Sequence, residues 1–401
     1  MEKLSKFNPY VDQILFSGLT FLTTSYLFGL LTYEKIGEYT FAATISITFS
    51  LLMRSYFIYP YYVSKTERNW IRRPETYRNI SIKYFYSCLA FTPIYLTYIS
   101  KKDNSNFAES ILILGIAIIF GHLDLIRAHN ILNGFQKLNV KVGWQLVTLL
   151  SAILLILKIA NIISNLISII IIFCILIYGS IRLLYSNDIK ALSVIDDSNS
   201  IKKKSNQLLE LDSSVSKIFV LDSIITRSIT IFGSLYLLNQ NPILAGEVSV
   251  ALFVVTSIPF AILNSLSALY NSVENFQKKW RIKIEIYLFT LFWIIVLLVL
   301  LSNLFFSELS YSKYRAPAKE YLILSLSILL SRVFEVTELM NLKKKISNYE
   351  FLIFHGSYAL LTSPIIFIVF IGKPLNLHLF WFFIFNITLL SYFKTRKKIN
   401  K

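Results

Sequence analysis

Three arginines, Arg54, Arg227 and Arg332, lie inside strongly apolar runs of this chain, and each brings a fixed positive charge into them. A guanidinium presents a planar fork of donors suited to phosphate or pyrophosphate oxygens, and it stays charged at physiological pH. A charge near the centre of a bilayer span costs about 2.5–3.5 kcal/mol on insertion scales, so it normally faces a partner or a wet cavity. Arg332 has Glu335 three residues on, where the two can pair locally into a neutral clamp. Asp222 lies five residues from Arg227, a less comfortable spacing on one helix. Arg54 has no carboxylate within reach on its own helix, which leaves two readings open. It offers charge to an anionic lipid headgroup, or it snorkels to the inner headgroups.

Polar residues repeat at helical spacing around these arginines. Ala43, Ser46, Ser50 and Arg54 share one face of the run Tyr39–Val63. Gln13, Ser17, Thr20 and Thr24 do so in the first run, and Asp222, Ser223, Thr226, Arg227 and Thr230 in the seventh. Ser249, Thr256, Asn264, Ser267, Asn271 and Glu274 line the eighth, which Pro259 is placed to kink. Ser327, Ser331, Arg332, Glu335 and Glu338 line the tenth. Arg54, Arg227, Arg332, Ser46, Ser50 and Asn264 are therefore the candidate substrate contacts. Asp222, Glu274, Glu335 and Glu338 are the candidates for ion coupling. Helix packing competes with both readings, because small and hydroxyl residues also let membrane helices approach closely.

No metal site or cofactor is expected. His122, Asp124, Arg127 and His129 are loosely spaced and read as an interfacial anchor at a helix end. No P-loop, HExxH or GxSxG pattern occurs, and the longest outer break, about residues 303–318, is short for a catalytic domain. The expectation is a protein that is not an enzyme.

The elements that must hold these residues are transmembrane helices. The chain has 401 residues, 55% of them hydrophobic and only 16% charged, with mean hydropathy +0.59. Apolar runs near the length of a span recur from end to end. They predict an all-α integral membrane protein with about twelve spans, centred on 11–31, 39–62, 80–99, 108–126, 142–158, 162–184, 217–238, 246–270, 284–303, 319–340, 350–371 and 375–393. The first run lacks a convincing cleavage site and reads as a retained helix. Cys88 and Cys174 both fall in predicted spans and read as packing residues.

Charge sets the orientation. Of the 40 basic residues, 29 fall in one alternating set of breaks and 8 in the other, the remaining three being the intramembrane arginines. By the positive-inside rule both termini are cytoplasmic. The same distribution accounts for the net charge of +17 without nucleic acid. Residues 186–216 read as a flexible cytoplasmic linker between an N-terminal six-helix lobe (1–185) and a C-terminal six-helix lobe (217–401), around a central cavity.

The stretch from Asp12 to Val63 resembles the start of Wzx-type O-antigen and polysaccharide flippases, members of the multidrug/oligosaccharidyl-lipid/polysaccharide exporter (MOP) superfamily. The likeness rests on Asp12-Gln13, the turn Ile36-Gly37-Glu38-Tyr39 and a polar second helix ending at Pro60. Arg127, Asn133-Gly134-Phe135 and Lys137 are similar to that family's basic loop between spans four and five. The resemblance implies a flippase carrying undecaprenyl-pyrophosphate-linked oligosaccharide, a lipopolysaccharide or other surface-polysaccharide repeat unit, across the bacterial inner membrane by alternating access. Membrane lipid, a polysaccharide polymerase and chain-length proteins would be its other partners. A multidrug exporter of the same superfamily and a membrane-embedded glycan polymerase are the competing expectations.

Overall fold

The computed structural model describes residues 8–57, 74–100, 107–132, 135–159, 165–192 and 234–254, with isolated positions between 220 and 231 and at 317. Every regular element among them is helical: α1 (Asn8–Leu30), α2 (Tyr33–Phe57), α3 (Pro74–Ser100), α4 (Phe107–Leu132), α5 (Gln136–Ile159) and α6 (Asn165–Leu192). A shorter apolar helix, α7, covers Pro242–Val254.

Five helices among the described residues are long and apolar enough to cross a membrane, namely Val11–Leu30, Tyr33–Phe57, Phe107–Ile131, Gln136–Leu157 and Leu166–Tyr185. The chain is a multi-pass membrane protein. The expectation of about twelve spans in two six-helix lobes around a central cavity is corrected to this smaller set. Counting apolar runs treats each run as a traverse, whereas length and composition are separate requirements. The third expected span shows the difference at α3, which is long enough at 27 residues but too polar to qualify by composition; of the eighth, only residues up to Val254 are described. The start of the expected linker, residues 186–192, is helical as the end of α6; the rest of the linker and the last four expected spans lie outside the described residues.

Local chemistry explains where α2 begins. The polar stretch Thr32–Glu38 reads as a turn in sequence, yet the helix starts at Tyr33. Thr32 caps it: its Oγ1 accepts the Lys35 N–H at 3.4 Å and its carbonyl accepts the Ile36 N–H at 2.9 Å. Glu34 in the first turn suits the positive end of the helix dipole. Polarity there signals a cap and not a loop.

By its contacts the chain divides into two units, one of Leu15–Leu31 with Glu38–Ile231, the other of Met1–Ile14, Thr32–Gly37 and Phe232–Lys401. In the described part of the second, the start of α2 packs on α7. A Cβ on Gly246 would strike the Tyr33 backbone, and one on Gly37 would meet Leu238, the Pro242 carbonyl and Ala245. Asn241 caps α7 by accepting the Leu244 N–H at 3.0 Å, with Pro242 at the first helical position.

In the first unit the helices alternate in direction. Contacts between α2 and α4 keep a nearly constant sequence offset: Glu38 with Ser110 (72 residues), Ser46 with Ala117 (71) and Arg54 with Asp124 (70). A constant offset means that α2 and α4 run parallel. Two parallel neighbours that both cross require the chain between them to come back, and α3 is that chain. Its Tyr95 reaches the Ser110 carbonyl and its Tyr84 the Ile118 carbonyl, so it runs antiparallel to α4. Lys83 and the hydroxyl-rich sequence of α3 lower its hydropathy, but its buried face, with Ile80, Tyr84, Cys88 and Tyr95, is turned to the bundle. Opposite lie Tyr86, Leu89 and Ile94, all exposed and suited to lipid.

This topology is testable by labelling. In a variant with Cys88 and Cys174 replaced by serine, cysteines at Thr32 and Lys101 should react with an impermeant maleimide on intact cells. Cysteines at Arg72 and Gln136 should react only after permeabilisation. Labelling of positions 72 and 101 from the same side would show that α3 does not cross.

Candidate functional site

The polar groups expected on one face of α2 form a seam with α4. At one end, near the start of α2, Glu38, 3% exposed, accepts a hydrogen bond from Ser110 at 3.0 Å. Midway, Ser46 donates to the Ala117 carbonyl at 2.5 Å and lies 2.7 Å from the Tyr84 hydroxyl. Tyr84 in turn donates to the Ile118 carbonyl at 2.7 Å. Hydroxyl, phenol and two carbonyls thus satisfy one another where water is absent, the condition for burying polar groups in a membrane. Gly121 permits this approach, since a Cβ there would fall on the Ser46 and Tyr84 oxygens.

At the other end Arg54 Nη1 bonds Asp124 Oδ2 at 2.8 Å, and Ser50 donates to the same oxygen at 3.4 Å. The two charged side chains keep 22% and 21% exposure, while Ser50 is fully buried. Arg54 lies 21 residues beyond Tyr33, a rise of about 31 Å. That distance equals the hydrocarbon thickness, so a helix with Tyr33 at one boundary puts Arg54 at the headgroups of the other. The aliphatic stem of the nearby Lys83 leads its ammonium to 5.1 Å above the Phe57 ring on the same side. Next to Arg54, Ser55 is buried and 2.6 Å from Ser223, one helical turn before Arg227.

The residues taken for a loose anchor at the end of α4 are held tightly. His122 is buried, with Nδ1 2.7 Å from the Ser180 hydroxyl of α6 and its ring stacked on Tyr84. Arg127, expected in a basic loop, is inside α4, 5% exposed, with its guanidinium 3.9 Å above the Phe16 ring. Asn130 donates to Asn139 at 2.7 Å and Asn139 donates to the Arg127 carbonyl at 3.1 Å, clamping the tight α4–α5 connection. Among the described residues no group of three His, Cys, Asp or Glu is placed to hold a metal.

Of the candidates read from sequence, Ser46, Ser50 and Arg54 come together on the seam. Asp222, Asn264, Glu274, Arg332, Glu335 and Glu338 lie outside the described residues. Sequence reasoning missed Asp124 as the partner of Arg54, and Tyr84, Glu38 and Ser110 as members of the seam. Asp124 was visible as an acidic residue in an apolar run, but its partner lies 70 positions away on another helix.

No protein-family model, curated protein or solved structure matches this chain. The resemblance to Wzx-type flippases of the MOP superfamily is therefore corrected on two findings, the lack of any match and the five candidate spans among the described residues. Flipping by alternating access needs two large helix bundles that rock about a shared cavity. With that architecture overturned, the flippase assignment falls, and the multidrug exporter of the same superfamily falls with it.

The seam makes a steric prediction. Gly121→Val should separate α2 from α4, because Ser46 contributes backbone as well as side chain to the crowding. The expected cost is about 2–4 kcal/mol, as for overpacking plus lost hydrogen bonds. It would be read as a lower melting temperature in detergent by intrinsic fluorescence; an unchanged melting temperature would refute the close approach.

Proposed function

We propose that this chain is a non-enzymatic, multi-pass protein of the bacterial cell (inner) membrane that binds the phosphate-bearing headgroup of a membrane lipid at the cytoplasmic end of the α2–α4 seam. The observation that carries this reading is the Arg54–Asp124 pair, one-fifth exposed and about a bilayer thickness from the start of α2. The Glu38–Ser110 contact at the other end of the seam is sealed. The inner pair instead leaves a guanidinium within reach of headgroup oxygens.

Charge around the site supports the same ligand. Lys65, Arg68, Arg72, Arg73, Arg78 and Lys83 follow α2 in sequence. Basic residues beside the anionic inner leaflet each contribute about 1 kcal/mol of attraction. The proposed partner is therefore a phosphorylated membrane lipid, with lipid-linked oligosaccharide as its elaborated form. Nucleic acid is not proposed, since the basic residues follow membrane topology.

The test uses the full-length protein in phosphatidylcholine nanodiscs doped with phosphatidylglycerol or phosphatidic acid. Native mass spectrometry should find anionic lipid retained by the wild type. Arg54→Ala should weaken retention about tenfold, the worth of one charge-assisted hydrogen bond. Equal retention by the two proteins would remove Arg54 from any headgroup site.

A further inference from the structure

We infer that Asp124 occupies the headgroup site in cis, and that a phosphate group displaces it from Arg54 and releases the inner end of α2 from α4. This rests on the headgroup reading above and adds its regulation. A single oxygen, Asp124 Oδ2, takes both the Arg54 guanidinium at 2.8 Å and the Ser50 hydroxyl at 3.4 Å. A guanidinium and a hydroxyl converging on one anionic oxygen are the donor set that a phosphate oxygen requires. The carboxylate has one charge and two oxygens to offer them. A phosphate monoester has three terminal oxygens and more charge, so it competes with the carboxylate for the Arg54 guanidinium.

The surroundings let the exchange happen without unfolding. Both members of the pair keep about a fifth of their surface exposed, so an incoming anion can reach the guanidinium. Displaced, Asp124 would regain water at headgroup depth and would not be stranded in hydrocarbon. Upstream the seam stays closed through Ser46, Tyr84 and the Ala117 carbonyl, so the opening is confined to the last turns of α2. Ser55, bonded to Ser223, would carry the movement to that residue.

The experiment compares wild type, Arg54→Ala and Asp124→Asn in phosphatidylcholine nanodiscs. One arm adds phosphatidic acid to the bilayer and the other adds inorganic phosphate to the buffer. Removing the competing carboxylate should tighten Asp124→Asn for phosphate groups about tenfold relative to wild type. Tightening in the first arm alone identifies a lipid headgroup, and tightening in both identifies phosphate as such; either supports displacement. If Asp124→Asn binds as the wild type does while Arg54→Ala is weakened, the headgroup site stands and the displacement is refuted. If Arg54→Ala is unaffected, both fall. A measurement on the wild type guards against misfolding of the variants. Hydrogen exchange of α2 residues 51–57 should quicken when phosphatidic acid is added, and exchange that is unchanged or slower would overturn the release.

Discussion

Hydrocarbon offers polar side chains no water, so each one carried into the membrane must find its partner on a neighbouring helix. That constraint shapes the first unit more than any apolar contact does. Three contacts at nearly constant offset, from Glu38–Ser110 through Ser46–Ala117 to Arg54–Asp124, fix the register of α2 on α4. An apolar seam could slide by a turn at little cost. A guanidinium paired with a carboxylate cannot, because a slip would leave two charges unmatched.

The other helices follow from that register. Parallel α2 and α4 force α3 to return between them, and Tyr84 serves both by bonding Ser46 and the Ile118 carbonyl. On the far side of α4, His122 reaches Ser180 and Gly115 receives Phe173, which sets α6 parallel as well. Small residues act here as spaces for specific neighbours. The clamp of Asn130, Asn139 and the Arg127 carbonyl then turns the chain tightly into α5.

Much of this was legible in sequence, and the limits have physical causes. Five apolar runs became spanning helices because length and hydropathy are local properties. The face shared by Ser46, Ser50 and Arg54 was readable from helical periodicity, and all three lie on the seam. Thr32–Glu38 misled because caps and turns use the same polar residues; Thr32 started a helix and Glu38 turned inward to Ser110. Arg54 looked uncompensated because its partner is on another helix, a relation that only folding creates. The family resemblance erred by giving weight to short polar patterns that any membrane helix pair under the same constraint can show.

Arg54 and Asp124 hold α2 in register on α4 only if they are energetically coupled, and a double-mutant cycle measures this directly. Arg54→Met, Asp124→Leu and the double variant keep approximate volume while removing charge. Equilibrium unfolding in a single detergent should show each single change costing roughly 1–3 kcal/mol, below the figure for a sealed pair because each side chain keeps some exposure. The double variant should recover at least about 1 kcal/mol of the summed loss. Losses that simply add, with coupling near zero, would contradict the claim that this pair holds α2 in register on α4.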